Sequence, residues 1–176
     1  MRRVAVSVAV AAFVLGIAAG LAIAAKKTFD TTVFIGKDKK EATAALLAVA
    51  KEQAGKGSWE NLAVARIHYL AGDKAAAQAI IDAVFAGKVE EEDWMRLGKI
   101  YVDAGEYDKA FEAFGKALDL DPKDAENYAK VGAFYNLRGQ REKAEELFAR
   151  AFEIKPDELW VTVTVAASYA GVRPQD

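Results

Sequence analysis

The sequence predicts an all-α protein built as a stack of antiparallel helix pairs, and three observations carry that expectation. Residues 105–122, GEYDKAFEAFGKALDLDP, are echoed by residues 139–156, GQREKAEELFARAFEIKP. Gly105 and Gly139, Ala110 and Ala144, Phe114 and Phe148, Ala117 and Ala151, and Pro122 and Pro156 are all 34 residues apart. A fixed offset of this size means that one supersecondary unit is used repeatedly, each copy burying its apolar face on its neighbours. From Asp38 onward, apolar residues also recur at three- and four-residue spacings, as in Leu46, Leu47, Val49 and Ala50, then Leu62, Ala65 and Tyr69. The chain has only 3 prolines and is rich in Ala, Glu and Lys, a composition that favours helix.

Taken in order, the first 25 residues differ from the rest. Met1-Arg2-Arg3 precedes residues 4–25, which carry no charge, and Lys26-Lys27 closes the run. Such a stretch is an export signal or a membrane helix. Ala22-Ile23-Ala24 offers a small-x-small cleavage site after Ala24, whereas the length of the run suits a retained anchor, in which Gly16 and Gly20 match a helix-packing pattern. In either case Arg2, Arg3 and the amino terminus keep that end cytoplasmic and send the remainder across the membrane. An extracytoplasmic, periplasmic location follows, either soluble or anchored in the inner membrane. Residues 26–37 read as a tether, although residues 31–35 also fit a short strand or a segment folded back over the array. Residues 38–54 form a packing helix ended by Gly55-Lys56-Gly57, and Ser58 is placed to cap the next helix.

Three hairpins follow at residues 58–90, 91–124 and 125–158. Gly72, Gly105 and Gly139 fall at their internal turns, and Pro122 and Pro156 stop the second helix of their pairs. Residues 159–176 form a last helix and tail. Their stretch LWVTVTVAASYAGV lacks charge and alternates like a strand over 161–165, but Val165, Ala166 and Tyr169 keep the 34-residue offset from Val131, Gly132 and Tyr135 and so predict a helix. Its uncovered side predicts self-association through Leu159, Val161 and Val165, or a contact with a larger partner.

Trp94-x-x-Leu97-Gly98-x-x-Tyr101, followed by Ala110-x-x-x-Phe114 and Pro122, resembles the tetratricopeptide-repeat pattern at every position of that pattern. Tyr128, Val131, Gly132, Tyr135, Ala144, Phe148 and Pro156 make a second copy. Asn61, Val64, Ala65, His68, Ala77 and Ile81 make a looser one with a spacing of 33. The resemblance implies a right-handed superhelical array whose concave groove holds partner peptides. It assigns Trp94, Leu97, Gly98, Tyr101, Ala110, Phe114, Pro122, Tyr128, Gly132, Tyr135, Ala144, Phe148 and Pro156 to packing between helices. Offset around the first helices, Trp59, Leu62, Arg66, Tyr69, Glu92, Met95, Lys99, Val102, Glu126, Ala129, Asn136, Trp160 and Val163 would then line the groove. That lining is mostly apolar, with a Trp at each end, and suits an extended or helical apolar segment. The Lys/Asn/Arg arrangement with which relatives grip a C-terminal carboxylate does not occur at the matching positions.

Chemistry has little to work with. There are no cysteines and one histidine, so thiol catalysis and disulfides are excluded and a conventional zinc site is not expected. His68 occupies the place of Tyr101 and Tyr135 and reads as a core aromatic substitute. Gly55-Lys56-Gly57-Ser58 lacks the spacing of a phosphate loop. Glu90-Glu91-Glu92-Asp93 suits a helix start, with an acidic docking patch as the alternative. A formal charge of −2 gives no reason to expect nucleic acid. The expectation is a non-catalytic module for protein–protein interaction in the cell envelope, without cofactor or metal. A membrane-anchored accessory subunit is the alternative.

Overall fold

The computed structural model describes residues 29–174. The leader, its cleavage site at Ala24 and the Gly16/Gly20 pattern lie outside the described residues. Among those described, no helix is long and apolar enough to cross a membrane.

A 3-10 turn at Thr31–Val33 precedes eight α-helices: α1 (Lys39–Ala54), α2 (Ser58–Leu70), α3 (Lys74–Phe85), α4 (Glu91–Asp103), α5 (Tyr107–Leu120), α6 (Ala125–Leu137), α7 (Arg141–Ile154) and α8 (Leu159–Tyr169). The pairs α2/α3, α4/α5 and α6/α7 are antiparallel hairpins, α1 packs on α2, and α8 packs on α6. Residues 31–35 form neither a strand nor a lid. Phe34 and Ile35 remain exposed, and the turn leans only on α1.

Capping sets the helix starts. The carboxylates of Asp38, Asp73 and Asp124 accept from the backbone N–H of Glu41, Ala76 and Asn127, which satisfies amides that have no partner within the helix. At α4 the acidic run serves the same purpose. The backbone N–H of Glu90 donates to Asp93 Oδ2 at 3.1 Å, and Asp93 is buried. At α2 the cap residue is Gly57 rather than Ser58. The Asn61 amide there donates to the carbonyls of Gly55 and Gly57 and accepts from Lys51, tying α1 to α2.

The hairpin turns repeat one geometry. Gly72, Gly105 and Gly139 have φ of 90°, 76° and 76°. The following amides of Asp73, Glu106 and Gln140 return to the carbonyls of His68, Tyr101 and Tyr135 at 2.8–3.0 Å. This is the six-residue closure that a left-handed glycine permits. Pro122 and Pro156 do stand just past α5 and α7, but both are exposed. They stop helices and contribute no packing bulk, because a turn at the end of the stack has no neighbour to lie against.

Within each hairpin a small residue faces a ring. A Cβ built on Gly98 would lie 2.3 Å from Phe114, and one on Gly132 would lie 2.6 Å from Phe148. The paired helices therefore approach as closely as the missing side chain allows. In the first hairpin the same register holds Ala65 and Ile81, both buried, so a smaller partner on α3 makes room for a methyl on α2. Trp94 and Tyr101 are partly buried at the junction of the first and second hairpins, where Trp94 meets Phe85 edge-on at 4.5 Å and Tyr101 meets Tyr69 at 5.7 Å. Leu97, Ala110 and Ala144 are buried, and Tyr128 and Tyr135 are partly so. His68 is partly buried, as Tyr101 and Tyr135 are. It lies over the first hairpin turn, its Nδ1 3.3 Å from Asp73 Oδ2.

Glu106 clamps the first two hairpins at their turns. It accepts from Tyr69 Oη at 2.8 Å and from Lys109 at 2.7 Å, and it pairs with Lys74. These donors, Lys109 foremost, hold its carboxyl at about 2 against an ordinary 4.5.

Two tests follow from this packing. Gly98→Ala is expected to lower stability by about 1–3 kcal/mol through overpacking, and adding Phe114→Ile should recover a part of that loss, as the Ala65/Ile81 pair does naturally. Denaturant unfolding followed by circular dichroism measures both. The Glu106 clamp, with its folded-state pKa lowered, contributes fully above the unfolded value and is lost as pH falls from 4.5 towards 2. Glu106→Gln should therefore flatten the acid limb of the Tm–pH curve over that interval.

Candidate functional site

The first helices of the hairpins form one layer, and its open side carries two adjoining clefts. The first, about 740 Å³, lies between α2 and α4 and is lined by Trp59, Leu62, Ala63, Arg66, Ile67, Arg96, Lys99, Ile100 and Asp103, with Phe134 from α6 and Arg173 and Pro174 from the segment after α8. The second, about 680 Å³, continues from α4 to α6. Its lining comprises Glu92, Met95, Asp121, Lys123, Asp124, Glu126, Asn127, Lys130 and Lys155, and it shares Trp59, Arg96 and Lys99 with the first.

One helical stripe organises this face. Glu92, Arg96, Lys99 and Asp103 follow each other at intervals of four, three and four along α4, which places all four on one side. The flanks of α4 are covered by α5 and by the neighbouring hairpins, so this stripe is the side of α4 that faces the clefts. The Arg96 guanidinium lies over the Trp59 ring with its centre 5.0 Å away, a cation–π contact that holds the exposed indole against α4. Asp103 is the hub of the first cleft. Its Oδ2 accepts from Arg66 Nε at 2.8 Å and Nη2 at 2.7 Å, and its Oδ1 accepts from Arg173 Nη2 at 3.0 Å. Its side chain is 17% exposed, against 46% for Arg66 and 57% for Arg173.

Of the residues expected in a groove, the structure brings Trp59, Leu62, Arg66, Glu92, Met95, Lys99 and Glu126 to this face. The lining mixes apolar and charged groups, with more charge towards α6 than expected. Leu62 and Met95 are buried cleft floor, while Tyr69, Val102 and Ala129 are buried between helices. Each first helix packs on its own hairpin partner and on the adjacent hairpins, which buries more of its circumference than a single stripe. Asn136 is drawn instead to Ser168 of α8, to which its amide donates at 3.1 Å. Trp160 and Val163 are exposed on α8 and belong to neither cleft. Sequence reasoning missed Arg96 and Lys130. The four-three-four charged stripe of α4 would have signalled the first, and its spacing from Glu126 the second. Nothing local could have placed Arg173 beside Asp103.

The last helix also needs correction. Val161 is fully buried against Ala125, Ala129 and Ala151, and Val165 is partly buried in the same region, so neither offers a self-association surface. Leu159, Trp160 and Val163 are the exposed apolar residues there. Val161→Lys should cost about 3 kcal/mol or more, because it buries an unpaired charge, whereas Leu159→Lys should change stability by no more than about 0.5 kcal/mol. Thermal melts of the two variants decide this.

Two family models described as tetratricopeptide repeat match residues 91–124 and 125–158, the ranges that contain α4/α5 and α6/α7. No curated protein matches the sequence. Among solved structures, one of MamA is similar at 22% identity with a TM-score of 0.50, covering 75% of this chain and 77% of that one. A second MamA structure is 22% identical with a TM-score of 0.49, covering 75% and 72%. YrrB, described as a TPR protein with an unusual peptide-binding site, is 18% identical with a TM-score of 0.47, covering 74% and 68%. The 34-residue hairpins, the glycine–phenylalanine contacts inside them and the two family models agree: over residues 91–158 the chain carries two tandem tetratricopeptide repeats.

Proposed function

We propose that this protein is a non-catalytic interaction module of the cell envelope, which binds an extended segment of another protein along the α2–α4–α6 face. The observation that carries this reading is the continuous pair of clefts floored by Leu62 and Met95, walled by charged side chains and flanked by the exposed Trp59. A preformed concave surface with an aromatic anchor and charges of both signs suits peptide recognition by contact and charge complementarity. Among the described residues no group of three or more His, Asp or Glu side chains is placed to hold a metal ion. The lining mixes charged and apolar groups, which favours an extended partner segment that carries both.

Export is supported by the uncharged run at residues 4–25 between Arg2-Arg3 and Lys26-Lys27. A second reading, a membrane-anchored subunit of an envelope complex, rests on the same run being retained. The exposed Leu159, Trp160 and Val163 of α8 favour an additional contact there, with a second copy or with the same partner.

Crosslinking in the native envelope, followed by identification of the captured protein, tests the central reading. Trp59→Ala combined with Arg96→Ala should reduce capture about tenfold or more, as expected for loss of an anchor at an interface centre, with helical content unchanged. Capture that survives both substitutions overturns the face. Amino-terminal sequencing of the mature chain separates the readings of the leader, because a start at Ala25 ends the anchored one.

A further inference from the structure

We propose that the cleft between α2 and α4 is a receptor for an extended segment carrying an arginine, and that the chain's own Val172-Arg173-Pro174 is its resident, displaceable occupant. This rests on the interaction-module reading and names the chemistry of its ligand.

The path of the chain after α8 is the starting point. Gly171, at φ 77°, reverses the backbone with the same closure as the hairpin turns, the Val172 N–H reaching the Ala167 carbonyl at 2.8 Å. No further helix follows among the described residues. Instead Arg173 reaches Asp103, 70 positions earlier in sequence, and Pro174 lines the first cleft with Trp59 and Ile67. The segment thus lies along the cleft, with Pro174 in its wall and one cation set on Asp103. Proline suits the role, because it favours extended backbone and has no N–H to leave unsatisfied.

The receiving carboxylate is prepared for a guanidinium. Arg66 holds Oδ2 of Asp103 through two nitrogens, which leaves Oδ1 to Arg173. A planar fork with several donors matches such a fixed acceptor better than an ammonium does. With only 17% of the Asp103 side chain exposed, the site is sheltered enough for charge to discriminate between ligands.

The latch is weak by design of its exposure. Arg173 is 57% exposed, and exposed ion pairs shift equilibria only about two- to fivefold. The tether compensates by supplying the tail at an effective concentration in the millimolar range. A partner segment that brings the same guanidinium and adds contacts with Trp59 and Ile67 therefore displaces it. The tail then acts as a filter: it keeps Asp103 occupied against stray cations and yields to a segment that fills the remainder of the cleft.

The test uses a fluorescein-labelled hexapeptide of residues 171–176, GVRPQD, titrated by anisotropy into the whole chain. Arg173→Ala, which removes the internal competitor, should raise the peptide's affinity about two- to fivefold over the unaltered chain. In that background Asp103→Asn should lower it by about fivefold or more, and so should alanine in place of the peptide's arginine. The peptide substitution needs no protein variant and decides the matter if Asp103→Asn unfolds. Equal affinity of the unaltered and Arg173→Ala chains overturns the resident tail, and equal binding of the arginine and alanine peptides overturns the arginine site. Either failure leaves partner capture through Trp59 and Arg96 standing, since that is read on a different variant.

Discussion

The close approach of a bare backbone to an aromatic ring, Gly98 to Phe114 and Gly132 to Phe148, is the contact on which the rest of this structure depends. It fixes the separation of the two helices in a hairpin, and that separation decides which side chains can reach the next hairpin. With the helices so close, Ala110, Ala113 and Ala117 on α5 are fully covered. The larger residues Trp94, Tyr101 and Phe111 are thereby left to bridge between units. The first hairpin reaches the same spacing with Ala65 and Ile81, which shows that the summed volume of the pair is constrained rather than either residue alone. On α8 the equivalent position, Ala166, is exposed, because among the described residues no second helix packs on it.

From that packing the character of the open face follows. A helix packed on its hairpin partner and on adjacent hairpins turns one stripe to the clefts, and on α4 that stripe is Glu92, Arg96, Lys99 and Asp103. Ion pairs centred on Asp103 share this face with the apolar side chains of Trp59, Leu62 and Ile67. The exposed aromatic contribution comes from Trp59, steadied by Arg96, with Phe134 lining the cleft from α6. Recognition on such a surface owes more to the placement of charge than to buried area, and its strength will fall with ionic strength as screening shortens the reach of each charge.

Much of the fold was legible because repetition multiplies a weak signal. Any single Ala-x-x-x-Phe is uninformative, but five residue pairs at one spacing are not, and the turn glycines and terminal helix were read from the same offset. The face was less legible for a physical reason. Helical periodicity distinguishes the side that faces one neighbour, whereas Leu62, Met95, Val102 and Ala129 face a second neighbour around the same helix, and a one-stripe reading sends them to solvent. Val161 misled similarly, since an uncharged helix looks uncovered until the small residues beneath it, Ala125, Ala129 and Ala151, are seen to receive it. The meeting of Arg173 and Asp103 has no local signature, because it is set by where the last turn aims the backbone.

The joint between the second and third hairpins is made differently from the others. Few backbone approaches link α4 to α6, and the space is bridged by rings laid flat on each other, Phe111 on Tyr135 at 3.7 Å and Phe114 on Phe134 at 5.1 Å. Parallel faces resist separation but slide readily, having no directional bonds to break. The joint therefore rests on side-chain contact more than on close backbone approach, and Phe134 serves it and the lining of the first cleft at once.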